Sequence, residues 1–223
     1  MNYSFLSNTM LFRGASADEI VSMLHCLGAY ERPFQKGEQV LRAGDCVESM
    51  GLVLTGSVNI EIDDLWGNKT ILGRAESGQL FAETYACIPG EPLMVSVVAA
   101  EKSLILFMKV SKLITTCQSS CAHHNRLIQN LLQISAQKNL SLSRRSLHTS
   151  QKTIRGRLLS YLSEQAKQAG SYSFTVPFNR QQLADYLGVD RSALSNELSK
   201  MQRDGILTCN KSNFTLKNSA DNP

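Results

Sequence analysis

Residues 180–198 read Arg-Gln-Gln-Leu-Ala-Asp-Tyr-Leu-Gly-Val-Asp-Arg-Ser-Ala-Leu-Ser-Asn-Glu-Leu. Ser192, Ser195, Asn196 and Ser199 share one face of a helix there, leaving it small and polar, and Arg191 lies at its N-terminal end. These side chains match groups on DNA. Arginine forms a bidentate pair with guanine, asparagine with adenine, and serine can serve either. A helix N-terminus also favours phosphate. The residues around them fit a helix-turn-helix. Leu183 and Leu187 are apolar at i, i+4 on a first helix, and Ala184 is small enough for a second helix to approach. Gly188 stands where the turn needs a left-handed backbone, Val189 plugs the turn, and Asp190 is a natural N-cap. Leu194, Leu198 and Met201 form the buried face of the second helix, while Glu197 occupies a slot that is often apolar and is expected at the edge of the helix contact. Residues 204–207 then lead into two short strands around 210–213, ending at Phe214-Thr-Leu216, which read as a β-wing. A helical hairpin with no nucleic-acid role would share the packing pattern but not the basic surroundings.

Other reactive side chains are scattered. The cysteines are Cys26, Cys46, Cys87, Cys117, Cys121 and Cys209, with no Cys-x-x-Cys pair among them. In a cytosolic chain they are expected to be reduced and mostly packed as small apolar side chains. Cys117, Cys121 and His124 stand at i, i+4 and i+7, on one face if the segment is helical. They could bind a metal or sense oxidants, or be buried thiols on a packed helix. No nucleophile–base set, phosphate loop or catalytic metal motif is present, so an enzyme is not expected. No metal ligand is assigned and the cofactor is unknown.

Ahead of this motif, Ser16-Ala-Asp-Glu19 reads as a capping box opening a short helix with Ile20, Met23, Leu24 and Leu27 at helical spacing. Over residues 30–108 glycines recur between short alternating runs such as Val58-Asn-Ile60-Glu-Ile62, with turn chemistry at 64–69. That pattern predicts an antiparallel barrel or sandwich. Residues 110–168 lack proline and turn helical. A polar stretch at 141–150 predicts a hinge near 148–151, followed by a helix over 153–168 that Gly170 ends. Leu127, Ile128, Leu131, Leu132 and Ile134 make an apolar stripe on the first of these helices. It is expected to pair with a second copy, with Leu127, Ile128, Leu131 and Ile134 at the dimer interface. Packing against its own barrel is the alternative.

Charge is divided along the chain. Residues 1–123 hold 9 Lys/Arg and 13 Asp/Glu, whereas residues 124–223 hold 14 and 6. A basic second part suits a polyanionic partner. The 43% hydrophobic content is enough for a buried core, and no apolar run reaches the roughly 18 residues of a membrane helix. The first residues lack the pattern of a signal peptide. A cytoplasmic protein with no membrane partner is expected.

The whole layout resembles the family of cyclic-AMP receptor protein and Fnr transcription regulators. Phe34-Gln-Lys-Gly-Glu-Gln-Val-Leu-Arg-Ala-Gly-Asp45 and Leu54-Thr-Gly56-Ser-Val58 are similar to strands of its cyclic-nucleotide-binding roll, and the motif at 180–205 is the most specific part. The resemblance implies an α+β fold with three parts. These are an effector-sensing β-roll at 1–110, a dimerisation helix and hinge at 111–150, and a winged helix-turn-helix DNA-binding domain at 151–223. It implies a homodimer on a double-stranded DNA operator, with RNA polymerase as a partner. Arg191, Ser192, Ser195 and Asn196 would face DNA and Arg180 a phosphate; Gln182 and Ser199 complete the candidate DNA-binding set. The effector site departs from the family. Cyclic-AMP binders use a Gly-Glu pair and, ten residues on, an Arg-Ser pair that grips the phosphate. Here Ala82-Glu83 is followed by Leu93-Met94. A cyclic phosphate needs a cation or a nest of donors, so Glu83, Leu93 and Met94 mark a site for some other effector or for none. Oxygen-sensing relatives hold an iron–sulfur cluster on N-terminal cysteines, where this chain has only Cys26. His25 is a lone candidate haem ligand. A redox, metal or haem sensor on the same frame stays open, as does a ligand-binding module whose helix-turn-helix serves protein contacts.

Overall fold

The computed structural model describes residues 2–63, 69–114 and 122–217. The chain divides into two compact units, Met1–Ala136 and Gln137–Pro223. The first opens with α1 (Tyr3–Ser7), capped by the Asn2 side chain, and α2 (Ala17–Cys26), whose Ser16–Glu19 capping box is formed in both directions. Strands follow as β1 (Tyr30–Phe34), β2 (Gln39–Leu41), β3 (Ser49–Thr55), β4 (Ser57–Asp63), β5 (Lys69–Glu76) and β6 (Leu80–Phe81). After the single-turn α3 (Glu83–Ala86) come β7 (Ser96–Ala99), β8 (Ser103–Lys109) and the short α4 (Ser111–Ile114). The strands make two antiparallel four-stranded sheets, ordered β1-β8-β3-β6 and β2-β7-β4-β5. This is the expected β-roll.

The first sheet separates two cores, and the two-residue period of its strands sorts the side chains between them. Met50, Leu52 and Leu54 of β3 join Leu106 and Met108 of β8 on the helical side, against Leu6, Phe12, Ile20 and Leu24. Val53, Ile105 and Phe107 point the other way, into the space between the sheets. That space is filled by aromatic rings. Phe107 meets Phe34 at 6.3 Å and Phe81 at 6.4 Å between centroids, both edge-on, the arrangement ring quadrupoles favour. Gly51 admits the Phe81 ring, which a Cβ at that position would overlap.

The helix α5 (Ala122–Thr149) contributes to both units. Its apolar stripe has two destinations. Leu127, Leu131 and Ile134 are buried in the helical-side core of the first unit. Ile128 is 41% exposed and Leu132 68%. Polar side chains fix this packing: Arg126 donates to the Gly14 carbonyl at 2.5 Å and meets Glu19 at 3.2 Å, and Asn130 donates to the Leu11 and Arg13 carbonyls. The stretch read as a polar hinge is helical through Thr149, and the chain breaks just after it, before α6 (Ile154–Ala169). Cys117 and Cys121, together with the turn between β4 and β5, lie outside the described residues.

In the second unit, Thr153 caps α6 and left-handed Gly170 ends it. Then come β9 (Ser173–Thr175), α7 (Arg180–Leu187), α8 (Arg191–Arg203), β10 (Leu207–Asn210) and β11 (Asn213–Leu216). The small sheet is ordered β10-β11-β9 and packs Phe214 into one core with Leu158, Leu162, Leu183, Leu198 and Met201.

Candidate nucleic-acid interface

Each part of the helix-turn-helix has a local cause. Asn179 and Gln182 exchange side-chain and backbone hydrogen bonds in a capping box that starts α7. Leu183, Ala184 and Leu187 are fully buried, and Gly188 ends the helix at φ +62°. Two guanidinium groups donate to carbonyls at that end. Arg145 donates to the Asp185 and Tyr186 carbonyls at 2.8 and 2.9 Å. Arg157 donates to those of Leu187 and Gly188, both at 3.0 Å. Cations are favoured at a helix C-terminus, and these bond to its carbonyls directly. The adjoining end of α5 is equally fixed. His148 is buried, 2.9 Å from Ser160 and 2.7 Å from Glu164, with its ring edge-on to Tyr161. Burial, with Tyr186 and Glu164 nearby, pushes the Tyr161 hydroxyl up to about 12.

Asp190 caps α8, accepting from the backbone of Ser192 at 2.8 Å and Ala193 at 2.9 Å. Its carboxyl is held below the usual carboxylate range, first by the Ser192 hydroxyl and then by the Ala193 N–H. Leu194, Leu198 and Met201 are buried, while Arg191, Ser192, Asn196 and Ser199 are exposed and Ser195 is half-buried. Glu197 is neither apolar nor idle. It takes a 2.6 Å bond from Arg155 of α6, which also holds Asp204 at 2.7 Å and so ties the middle of α8 and its C-cap residue to α6.

The candidates differ in how free they are. Gln182 is committed through its carbonyl oxygen to the Asn179 backbone. Ser192 donates its hydroxyl to Asp190 and Ser199 donates to the Ser195 carbonyl. The Arg180 guanidinium lies 5.1 Å over the Phe214 ring and 3.3 Å from the Cys209 sulfur of the wing. The wing's two-residue turn carries Lys211 at φ +52°, exposed. Sequence reasoning missed Arg145, Arg155, Arg157 and His148. The basic residues were visible as charge, but the partners described above lie 12 to 49 residues away in the chain.

In the roll, Glu83 is buried at the first position of α3, after Ala82 in a left-handed conformation. Leu93 is 3% exposed, its backbone paired with Asp45, whereas Met94 is 70% exposed and its N–H donates to the Tyr85 hydroxyl at 3.4 Å. Four residues from Glu83, the Cys87 thiol is raised by burial and then by the Glu83 charge. Among the described residues no three His, Cys, Asp or Glu side chains gather as a metal site. None of the described helices is long and apolar enough to cross a membrane.

Two family models match the chain. A cyclic nucleotide-binding domain covers residues 31–120 and a Crp-like helix-turn-helix domain covers residues 156–220. The transcriptional activator protein FnrL of Cereibacter sphaeroides is 24% identical over 80% of this chain and 72% of its own length. Electron transport regulator A of Shewanella oneidensis is 22% identical over 79% and 70%. The solved structure of CprK complexed with OCPA has the same fold, with a TM-score of 0.64 at 19% identity, covering 90% of this chain and 93% of that one.

Proposed function

Because the chain belongs to the Crp/Fnr family of transcription regulators and is a DNA-binding regulator of that type, we propose that it works as a cytoplasmic homodimer on a near-palindromic operator, with two α8 helices in major grooves about 34 Å apart. The exposed side of α8 carries this reading: small or hydrogen-bonding side chains stand opposite a fully apolar stripe, at the end of a net-basic stretch of chain. Arg191, Ser192, Ser195, Asn196 and Ser199 meet the bases. Arg180 keeps N–H groups beyond the one given to Cys209 and turns them to a phosphate, with the amide nitrogen of Gln182 beside it. RNA polymerase is the partner on the bound DNA.

The second copy packs on the side of α5 that its own unit leaves open. Ile128 and Leu132 are exposed there, and Ser135, Asn139 and Leu142 continue them at alternating spacings of four and three, the period of a two-stranded seam. Leu127, Leu131 and Ile134 act behind that seam by holding α5 in place. The effector is something other than cyclic AMP, or none is needed, because a buried Leu93 and an exposed Met94 occupy the sequence positions where cyclic-AMP binders of the family carry their arginine–serine pair, and neither supplies a cation. Glu83 is the polar group that some other ligand would meet.

A gel-shift titration of the full chain against its own upstream region tests the reading. Sequence-preferring retention that weakens steeply with salt is expected. Binding that ignores sequence, or is absent at every salt concentration, overturns it.

A further inference from the structure

We propose that Asn196 is the adenine-reading residue of α8 and that it sets one A·T pair of the half-site. The inference rests on α8 being the DNA-docking helix and goes further, to which base that helix selects. At 3.6 residues per turn, Asn196 lies about 160° around the helix from both Leu194 and Leu198, so it projects directly away from the core. Its neighbours on that face are Ser192 and Ser199, one turn to either side. Both hydroxyls already donate within the protein, Ser192 to the Asp190 carboxylate and Ser199 to the Ser195 carbonyl. What remains on them is short and acceptor-only. Among the described residues the Asn196 amide makes no side-chain hydrogen bond, so its donor and its acceptor are both unclaimed.

A carboxamide presents one donor beside one acceptor. In the major groove adenine presents the complement, N6–H as donor beside N7 as acceptor; guanine presents two acceptors, cytosine a donor alone, and thymine an acceptor beside a methyl group. Of the four bases taken singly, only adenine satisfies both halves of the amide. Arg191 stands five residues earlier and about 140° around the helix, at its first position, so it meets a different base pair.

Selection of binding sites from a random double-stranded pool, using the full chain and its N196A, N196R and R191A variants, tests this directly. The unchanged chain is expected to select a motif containing a fixed A·T pair. N196A flattens that pair alone, with discrimination there falling by about 5- to 150-fold. N196R replaces it with G·C, and R191A relaxes a different position. If N196A weakens all sequences equally, or leaves the A·T pair intact, Asn196 is not a base reader and the proposal is overturned while α8 keeps its role. A chain that selects no motif at all overturns the DNA-docking reading itself. Thermal melts of each variant show whether the exposed position leaves folding unchanged.

Discussion

Two backbone positions in the second unit make the same left-handed demand and meet it with opposite residue choices. Gly188 sits at φ +62°, with only the Arg157 side chain within contact range of a Cβ, at 3.7 Å. Lys211 sits at φ +52° without the freedom of glycine. A left-handed conformation costs an L-residue roughly 1–2 kcal/mol, while the entropy of a freer unfolded chain favours the larger residue by about 0.4–1 kcal/mol. Conformation outweighs entropy in both cases. Gly188→Ala is expected to destabilise the free protein by up to about 1.6 kcal/mol and Lys211→Gly to stabilise it by a similar or smaller amount, read from urea melts. Equal signs for the two would refute the account. Asp190 gives a residue-scale test in pH. Its folded carboxyl titrates below the unfolded one, so its contribution is present above the ordinary carboxylate range and is lost as pH falls through the lower, folded value. Asp190→Asn, which keeps a capping oxygen, is expected to flatten this acid limb in melts from pH 5 to 2. Gly188 and Asp190 were legible because turn and cap chemistry is local. Glu197 was not, since its partner Arg155 stands 42 residues earlier.

For α5, periodicity identified an apolar stripe but not what covers it. The same spacing serves a helix packed on its own domain and one packed on a second copy, and the helix has both kinds of position. What separates them is long-range: Leu127 and Leu131 find Leu11, Phe12 and Leu24, which no local pattern announces. The two positions call for different losses. Leu131→Ala removes a buried side chain and is expected to cost about 2–5 kcal/mol of folding stability. Leu132→Glu puts a charge on an exposed position, so the fold is expected to survive while self-association falls. Sedimentation velocity and a thermal melt of both variants distinguish them. A monomeric Leu131→Ala of unchanged stability, with a dimeric Leu132→Glu, would place the seam on the other side of α5.

Taken whole, the chain has an acidic first part and a basic second part, and the same contrast holds for how readily its chemistry could be read. Base readout needs a few side-chain types at fixed helical spacing, which a sequence displays. An effector pocket depends on residues distant in the chain and on the space left between them. In the roll that space holds Phe34, Phe81 and Phe107, and Glu83 and Leu93 are both buried. An anion placed beside Glu83 would meet a buried carboxylate. Cyclic AMP is therefore expected to leave both the melting temperature and the operator affinity unchanged at millimolar concentration. The measurement is sensitive, because a ligand at 100 times its dissociation constant stabilises the state it binds by about 2.7 kcal/mol. A saturable upward shift in melting temperature that Glu83→Gln alters would overturn this expectation and show that the roll holds a cyclic nucleotide without the arginine–serine pair.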